Sequence, residues 1–166
     1  MKSPLKTSLN QVLIMSMLFV ALFAQVVSAE NLQLQVDSIN DLIFHASESE
    51  KPQLYRGLSE LFAKNNPEVA ILYADTALRL ANLQNANSQA AEASLLLARA
   101  YSELDNYDTS FYYLDLAHPV YKENNDSERL SDLQNVKGLN YQKLGDYELA
   151  RECFKKALFE IGNGSV

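Results

Sequence analysis

The feature that most constrains this chain is an internal repeat with a period of 40 residues. A shift of that length superimposes four identical pairs: Tyr101 with Tyr141, Leu104 with Leu144, Tyr107 with Tyr147, and Ala117 with Ala157. A second shift of the same length sets Leu61, Ala70, Ala74 and Ala77 against Tyr101, Ser110, Leu114 and Ala117. Such a repeat predicts an all-α helical solenoid, because a single pair of helices cannot bury its apolar side without neighbours.

The last copy of the repeat, Gln134–Ile161, predicts two antiparallel helices joined by a tight turn at Gly145 and Asp146. Glycine readily takes the left-handed conformation that ends a helix, and aspartate caps the helix that follows. The small residues Gly138 and Ala150 predict that the two helices approach closely. The apolar positions of this copy are Leu130, Leu133, Val136, Tyr141 and Leu144, then Tyr147, Ala150, Cys153, Phe154, Ala157, Leu158 and Ile161.

The remaining elements follow from helical periodicity and from helix-start and helix-stop residues. An amphipathic helix over Leu32–Ala46 is expected to cap the array. Two further helix pairs are expected over Pro52–Lys64 and Pro67–Ala81, then over Ala90–Leu104 and Tyr107–Tyr121, with loops at Asn82–Gln89 and Glu123–Ser127. Pro119 predicts a kink or an early stop near His118, because proline removes a backbone hydrogen bond and clashes with the preceding turn.

The N-terminus has the three-part layout of a secretory signal peptide. Lys2 and Lys6 precede the apolar run Val12–Ala24, and small residues around Ala29 offer a cleavage site. The sequence therefore predicts a signal peptide over residues 1–29 and an exported, periplasmic or extracellular protein that begins at Glu30. The rival interpretation is an uncleaved membrane anchor, which needs about 20 apolar residues. The rest, residues 30–166, is expected to be one repeat domain with units over 51–90, 91–130 and 131–166.

The net charge excludes one class of partner. The chain carries a formal charge of -7, and it has 12 basic and 21 acidic residues once Lys2 and Lys6 are removed. Such a surface repels nucleic acid and anionic lipid, so no nucleic-acid partner is expected. Contact with a membrane is expected only through the signal segment or through a further C-terminal part. The acidic exterior is interpreted as a solvated surface; the alternative is an acidic binding face for a basic partner.

Residues that carry chemistry are sparse, and the sequence predicts no enzyme, no cofactor and no metal site. His45 and His118 lie in different units, and the chain has no H-E-x-x-H, no Gly-rich phosphate loop and no CxxC. A hydrolase that uses Cys153 and His118 is kept as a remote alternative. Against it, Cys153 is predicted on the packed side of the last helix, where a free cysteine behaves as a small apolar residue.

The repeat resembles the tetratricopeptide repeat family over roughly Lys51–Ile161. The resemblance is carried in the last copy by Gly138, Tyr141, Gly145, Tyr147, Ala150, Phe154 and Ala157. The 40-residue form is similar to arrays in exported bacterial proteins, especially the sensor portions of membrane-bound regulators. The resemblance implies an α-α superhelix that binds a protein or peptide partner.

The family binds partners in a concave groove lined by the first helix of each pair. Carried onto this chain, the groove would be lined by Tyr55, Ser59, Phe62, Leu95, Arg99, Ser102, Asn135, Leu139 and Gln142, with Lys143 at its edge. This set suits a peptide with an apolar anchor and a carboxylate for Arg99. The clamp of the chaperone-binding members is not reproduced, because its positions hold Tyr55, Ser59, Leu96 and Val136.

Two functions remain open from the sequence. The first is an exported protein- or peptide-binding scaffold without catalysis. The alternative is the sensory input part of a longer membrane-bound regulator of the kinase or transcription-regulator type. Leu139, Leu158 and Phe159 are expected to be exposed at the end of the array, where an apolar patch usually marks an interface. A longer array, an end-to-end homodimer or a separate partner would each cover that patch.

Overall fold

The computed structural model describes residues 30–163, which form seven helices. Their bounds are 30–45 for α1, Lys51–Phe62 for α2, Pro67–Leu83 for α3, Asn87–Glu103 for α4, Tyr107–Glu123 for α5, Ser127–Leu144 for α6 and Tyr147–Asn163 for α7. The expected all-α class is confirmed. The expected signal peptide over residues 1–29 lies outside the described residues.

The chain divides into two compact units, one that ends at Asp41 and one that begins at Leu42. In α1, Leu32, Val36 and Ile39 form a partly buried stripe, whereas Leu34 is exposed. The amphipathic helix expected there is present, and its role as a cap stays a prediction. No helix within residues 30–163 combines the length and apolar character needed to span a membrane.

In the second unit, each helix from α2 to α7 packs against the next one in the chain. Within these six helices, α2 touches α4 and α4 touches α6, whereas α3, α5 and α7 do not touch one another. The first helices of the pairs are therefore closer together than the second helices. The array consequently curves, with α2, α4 and α6 on its inner side.

Small side chains form the seam between the helices of each pair. On α3 the buried residues are all alanines, Ala70, Ala74, Ala77 and Ala81. In the last pair, a Cβ atom added to Gly138 would lie 2.6 Å from the ring of Phe154. No larger residue fits there unless that ring moves, so the close approach predicted at Gly138 is confirmed. Such seams bring apolar surfaces together at the density of a protein interior.

The turns from α3 onward repeat at half the period of the pairs. A residue with positive φ occupies positions 85, 105, 125 and 145, at intervals of 20 residues. The next residue in each turn donates its N–H to a carbonyl five residues back, as Asp146 does to Tyr141 at 2.9 Å. Each of the last three turns also caps the helix that follows it. The side-chain oxygens of Asn106, Asp126 and Asp146 accept a hydrogen bond from the backbone N–H of the third residue of that helix. The predicted turn at Gly145 and Asp146 is confirmed, and it belongs to a series.

Two loops are shorter than expected, because the helices continue into them. Most of Asn82–Gln89 is helical, and only 84–86 separates α3 from α4. Likewise 124–126 is all that separates α5 from α6. The expected stop near His118 is wrong, because α5 runs through Pro119 to Glu123. Pro119 has no N–H to donate to the carbonyl of Asp115. Both residues are exposed, so water can hydrogen-bond to that carbonyl.

The recurring tyrosines fall into two groups. Tyr101 stacks on Tyr113 with 5.7 Å between ring centroids, and Tyr141, one of the apolar positions predicted in the last copy, packs against Phe111 at 4.9 Å. Tyr147 is 70% exposed, so its predicted packing is wrong. Leu144 is also exposed, at 55%, and both residues lie beside the turn at Gly145. The hydroxyl of Tyr107 donates to Asp105, which raises the pKa of Tyr107 to about 12.

A buried polar network joins the second and third pairs. Asn140 is fully buried on α6, where its amide nitrogen donates to the hydroxyl of Ser110 on α5 at 2.8 Å. Its amide oxygen accepts a hydrogen bond from Ser102 on α4. Ser110 in turn donates to the carbonyl of Ala98 at 2.7 Å. Each side chain of the network has a partner, which is the condition for burying polar groups without a large penalty.

Replacing Asn140 by alanine should destabilise the protein by about 2 kcal/mol, because buried hydroxyls lose their partners. Asn135→Ala on the same helix is the matched control, since Asn135 is exposed and should change the stability by less than about 0.5 kcal/mol. Urea unfolding followed by circular dichroism measures both. Equal unfolding midpoints for the two variants would show that the network contributes nothing to stability.

Gly145 and Gly162 should respond to alanine with opposite signs. Gly145 has a φ of 84°, so Gly145→Ala should cost about 1 kcal/mol, since a side chain disfavours left-handed backbone. Gly162 lies within α7 with open space around it, so Gly162→Ala should stabilise by up to about 1 kcal/mol through helix propensity. Thermal unfolding of both variants checks the signs, and a stabilised Gly145→Ala would contradict the assigned turn.

Candidate partner-binding face

The inner side of the array presents a set of ion pairs that cross from helix to helix. Arg56 on α2 lies 2.7 Å from Glu60 and 3.5 Å from Glu92 on α4. Arg99 on α4 lies 3.1 Å from Asp132 on α6, which is also 3.3 Å from Arg129. We call this surface the inner face and define it by Arg56, Glu60, Glu92, Arg99, Arg129 and Asp132.

The charges of the inner face are unevenly shared. Arg56 has two carboxylates beside it, whereas Arg99 and Arg129 share the single carboxylate of Asp132. Toward α6, two arginines therefore have only one carboxylate within ion-pair distance. All six side chains remain partly exposed, so each pair contributes roughly 0–1 kcal/mol and can rearrange at low cost.

A buried hydroxyl lies beneath this charged surface. Tyr121, near the end of α5, is 3% exposed, and its hydroxyl has no hydrogen-bond partner among the described residues. It lines a cavity of about 10 Å³ together with Arg99, Arg129 and other residues of the inner face. Burial raises the pKa of Tyr121 well above its usual range, so the hydroxyl keeps its proton and can donate a hydrogen bond.

Arg129 stays charged in this setting. Burial by itself lowers the pKa of Arg129, but its surroundings, which include the carboxylates of Asp132 and Glu92, outweigh it, and the net shift is upward. The hydroxyl of Tyr121 and the guanidinium of Arg129 therefore both offer hydrogen-bond donors to the same small space.

The groove residues expected on α4 and α6 are only partly accessible. Arg99 belongs to the inner face, and Asn135, Leu139 and Gln142 are exposed on α6. Lys143 is also exposed and lies 3.8 Å from Asp105. Leu95 is buried in the hydrophobic core, but it also lines the small cavity of the inner face. Ser102 differs from the expectation, because it is buried and belongs to the Asn140 network.

The groove residues expected on α2 lie in the packing against α3. Ser59 is buried and donates to the carbonyl of Ala70 at 2.9 Å. Tyr55 and Phe62 are partly buried, with ring centroids 6.4 and 5.8 Å from that of Tyr73. None of the three belongs to the inner face. The residues of α2 that do are Arg56 and Glu60, each one position further along the chain.

A shortened turn explains this offset of one residue. After α2, Asn66 donates its N–H to the carbonyl of Phe62, only four residues back, whereas the later turns span five. The first helices of the first two pairs therefore align with a shift of 39 residues. That shift matches Leu58 with Leu97 and Phe62 with Tyr101, in agreement with their burial and ring stacking.

The sequence holds a signal for this offset. With one gap allowed, Phe62 falls into the aromatic series of Tyr101 and Tyr141, and Arg56 and Glu60 fall onto the positions of Leu95 and Arg99. The roles of Glu92, Arg129 and Asp132 have no comparable signal, because their ion pairs depend on how neighbouring helices are placed. Nor does the sequence indicate that Tyr121 reaches the inner face, since it lies on a second helix.

A larger cavity than that at Tyr121 lies elsewhere. It has a volume of about 540 Å³ and is lined by Leu42, Leu54, Gln53 and Gln89, among others, near the start of α2. The carbonyl oxygen of the Gln89 side chain is buried without a hydrogen-bond partner there. We place the candidate site at the inner face instead, because charged groups from three helices converge on it.

Cys153 is buried on α7, so its expected place on the packed side of that helix is confirmed. Burial raises the pKa of its thiol, which keeps the sulfur protonated and weakly nucleophilic at neutral pH. The environment of Cys153 therefore gives no support to a thiol-based hydrolase.

The pairwise packing and the repeating turns define a curved helical-repeat array, a class of protein that presents an extended binding surface. Residues 89–158, which span nearly all of α4 to α7, match the family model for the tetratricopeptide repeat. The resemblance to the tetratricopeptide repeat that the sequence predicts is thus confirmed over these residues. No curated protein and no solved structure gives a significant match. Tetratricopeptide repeats are generally protein-binding scaffolds without catalysis.

Proposed function

We propose that this protein is a scaffold that captures a partner peptide or helix along its inner face, without covalent chemistry. The observation that carries the proposal is the convergence of Arg99, Arg129 and Asp132 from α4 and α6 beside exposed residues of a tetratricopeptide repeat. A preformed curved surface of this kind binds without first having to become ordered, which lowers the entropic cost of binding.

The chemistry of the surface favours a partner with one apolar anchor and one carboxylate. Leu139, 49% exposed on α6, supplies apolar contact area. Arg99 and Arg129 supply charged donors for a carboxylate, and guanidinium–carboxylate hydrogen bonds are among the stronger ones. Asn135 and Gln142, both exposed, can hydrogen-bond to the backbone of an extended peptide.

We also propose that the protein is exported after cleavage near Ala29. The support is the order of Lys2 and Lys6, the apolar run Val12–Ala24 and the small residues before Glu30. Export would place the scaffold in the periplasm or outside the cell. The sensory input part of a membrane-bound regulator stays the alternative prediction. An end-to-end homodimer also stays a prediction. Leu158 and Phe159, which it would cover, are exposed as expected.

Reversing the charge of Arg99 should abolish partner capture. Peptides are first selected from a display library on the wild-type protein, and their affinity is then measured by calorimetry. Arg99→Glu should bind the selected peptides at least about tenfold more weakly, because an attraction to the carboxylate of the peptide becomes a repulsion. The thermal unfolding temperature should change little, since Arg99 is partly exposed.

Arg151→Glu is the matched control for that experiment. Arg151 is an exposed, ion-paired arginine on α7, away from the inner face. It should leave peptide affinity unchanged. Full affinity in Arg99→Glu, or an equal loss in both variants, would refute a binding site on the inner face.

Export should be visible in the N-terminus of the mature protein. When the full chain is expressed in a bacterial host and the cells are fractionated, the expected product lies outside the cytoplasm and begins at Glu30. Replacing Ala29 by a bulky arginine should block cleavage, because signal peptidase sites require small residues. Edman sequencing of the purified product checks both. A cytoplasmic product that retains Met1 would contradict the export proposal.

A further inference from the structure

We propose that the carboxylate of Asp132 is an internal stand-in for a carboxylate of the bound peptide. Arg99, Arg129 and the hydroxyl of Tyr121 would then form an anion subsite that the protein itself fills when no partner is bound. The inference rests on the proposed function and identifies the group of the partner that the inner face recognises.

The first support is the geometry around Asp132. One oxygen of this carboxylate, Oδ2, lies 3.1 Å from Nη2 of Arg99 and 3.3 Å from Nη1 of Arg129. The two guanidiniums come from neighbouring helices and meet at a single oxygen. A carboxylate held between two arginines is also the arrangement by which proteins bind an external carboxylate.

The second support is the donor that Asp132 leaves unused. The hydroxyl of Tyr121 lines the cavity next to Arg99 and Arg129, and it is buried without a partner. A buried donor without an acceptor is costly, so this hydroxyl favours an acceptor in the cavity. Asp132 fills the place between the arginines and does not reach Tyr121.

The other carboxylates at the cavity are already engaged. Glu92 lies 3.5 Å from Nε of Arg56 and accepts a weak hydrogen bond from Gln53 at 3.4 Å. Glu60 pairs with Arg56 at 2.7 Å. Both acids pair directly with Arg56, although Glu92 also lies close enough to Arg129 and Tyr121 to raise their pKa values. The guanidiniums of Arg99 and Arg129 share one directly paired carboxylate, so an incoming anion is most favoured beside them.

The size of the cavity explains why displacement is needed. Its volume of about 10 Å³ is only that of one water molecule, too small for a carboxylate group. An incoming carboxylate can take the place between the two arginines only if Asp132 turns away into solvent, and it reaches Tyr121 only if the side chains that line the cavity also shift. Asp132 is 31% exposed and lies in the first half of α6, so this rotation breaks two partly exposed ion pairs and little else.

The arrangement predicts that Asp132 competes with the partner. The protein's own carboxylate keeps the two arginines paired, and it lowers the affinity for any external carboxylate by the cost of its displacement. An external carboxylate gains the hydrogen bond from Tyr121 that Asp132 does not make. The subsite therefore favours a carboxylate that enters more deeply than the side chain of Asp132 does.

The test uses citrate as a defined carboxylate probe on the whole protein. Titration is followed through the side-chain Nε–Hε NMR signals of Arg99 and Arg129. Asp132→Asn keeps the shape of the side chain and removes its charge, so it should bind citrate about fivefold more tightly than the wild type. Tyr121→Phe in the Asp132→Asn background should lose part of that gain, because it removes the hydroxyl donor.

Asp115→Asn is the matched control for the change in net charge. Asp115 is an exposed acid that pairs with Lys137 at 3.4 Å, away from the inner face. It should leave the affinity for citrate near that of the wild type. Equal citrate affinities in the wild type and in Asp132→Asn would overturn the proposal, as would an equal gain in Asp132→Asn and Asp115→Asn.

A peptide experiment separates this inference from the proposed function. A library-selected peptide with a free C-terminal carboxylate is compared with the same peptide in amidated form. The inference expects Asp132→Asn to tighten binding of the free acid more than that of the amide. Identical effects on both forms would refute the carboxylate subsite, while loss of binding in Arg99→Glu would still support the inner face as the binding surface.

Discussion

The close approach of neighbouring helices is the interaction on which the rest of this structure depends. Each helix of the second unit is thin and has too little apolar surface to form a core alone, so it must bury that surface against the helices before and after it. Alanines along α3 and a glycine opposite Phe154 make that approach possible. Because the first helices also touch one another, the array curves and gathers long polar side chains on one side. The inner face is thus a product of the packing, although none of its ionised residues belongs to the core.

The fold could be predicted from the sequence because its determinants are local and repeated. Helix spacing, the turn at Gly145 and Asp146, and the recurring small residues each predict the same pair of helices, and agreement among such signals is what makes a sequence specify a structure. The errors have identifiable causes. Asparagine-rich stretches were expected to be loops, but a left-handed asparagine such as Asn85 ends one helix and lets the next begin at once. Pro119 predicts a kink or an early stop of α5, but the helix continues through it, because its missing hydrogen bond faces solvent.

The site was less predictable, because it depends on relations between helices. A fixed period assigns both Arg99 and Ser59 to the groove, but Ser59 is buried against α3, since the turn after α2 is one residue shorter than the others. The pairing of Arg99 with Asp132 depends on how α4 and α6 lie beside each other, and a repeat pattern does not encode that distance. Tyr121 was not expected at all, because it reaches the inner face from a helix of the outer layer. The sequence therefore predicts which helices carry the site better than it predicts which side chains do.

The hydrogen-bonded group around Asn140 also bears on how a self-similar chain finds its proper arrangement. Hairpins with nearly the same apolar pattern can dock in the wrong order during folding, or exchange between two molecules, because apolar contact is non-directional. Ser102, Ser110 and Asn140 have no counterparts at the equivalent positions of the other hairpins, where Ala63, Ala70 and Ala100 stand. If the third hairpin docked in the wrong place, the side-chain amide of Asn140 would be buried among apolar atoms without hydrogen-bond partners. The chain thus carries one specific hydrogen-bond network that distinguishes its last hairpin from the others.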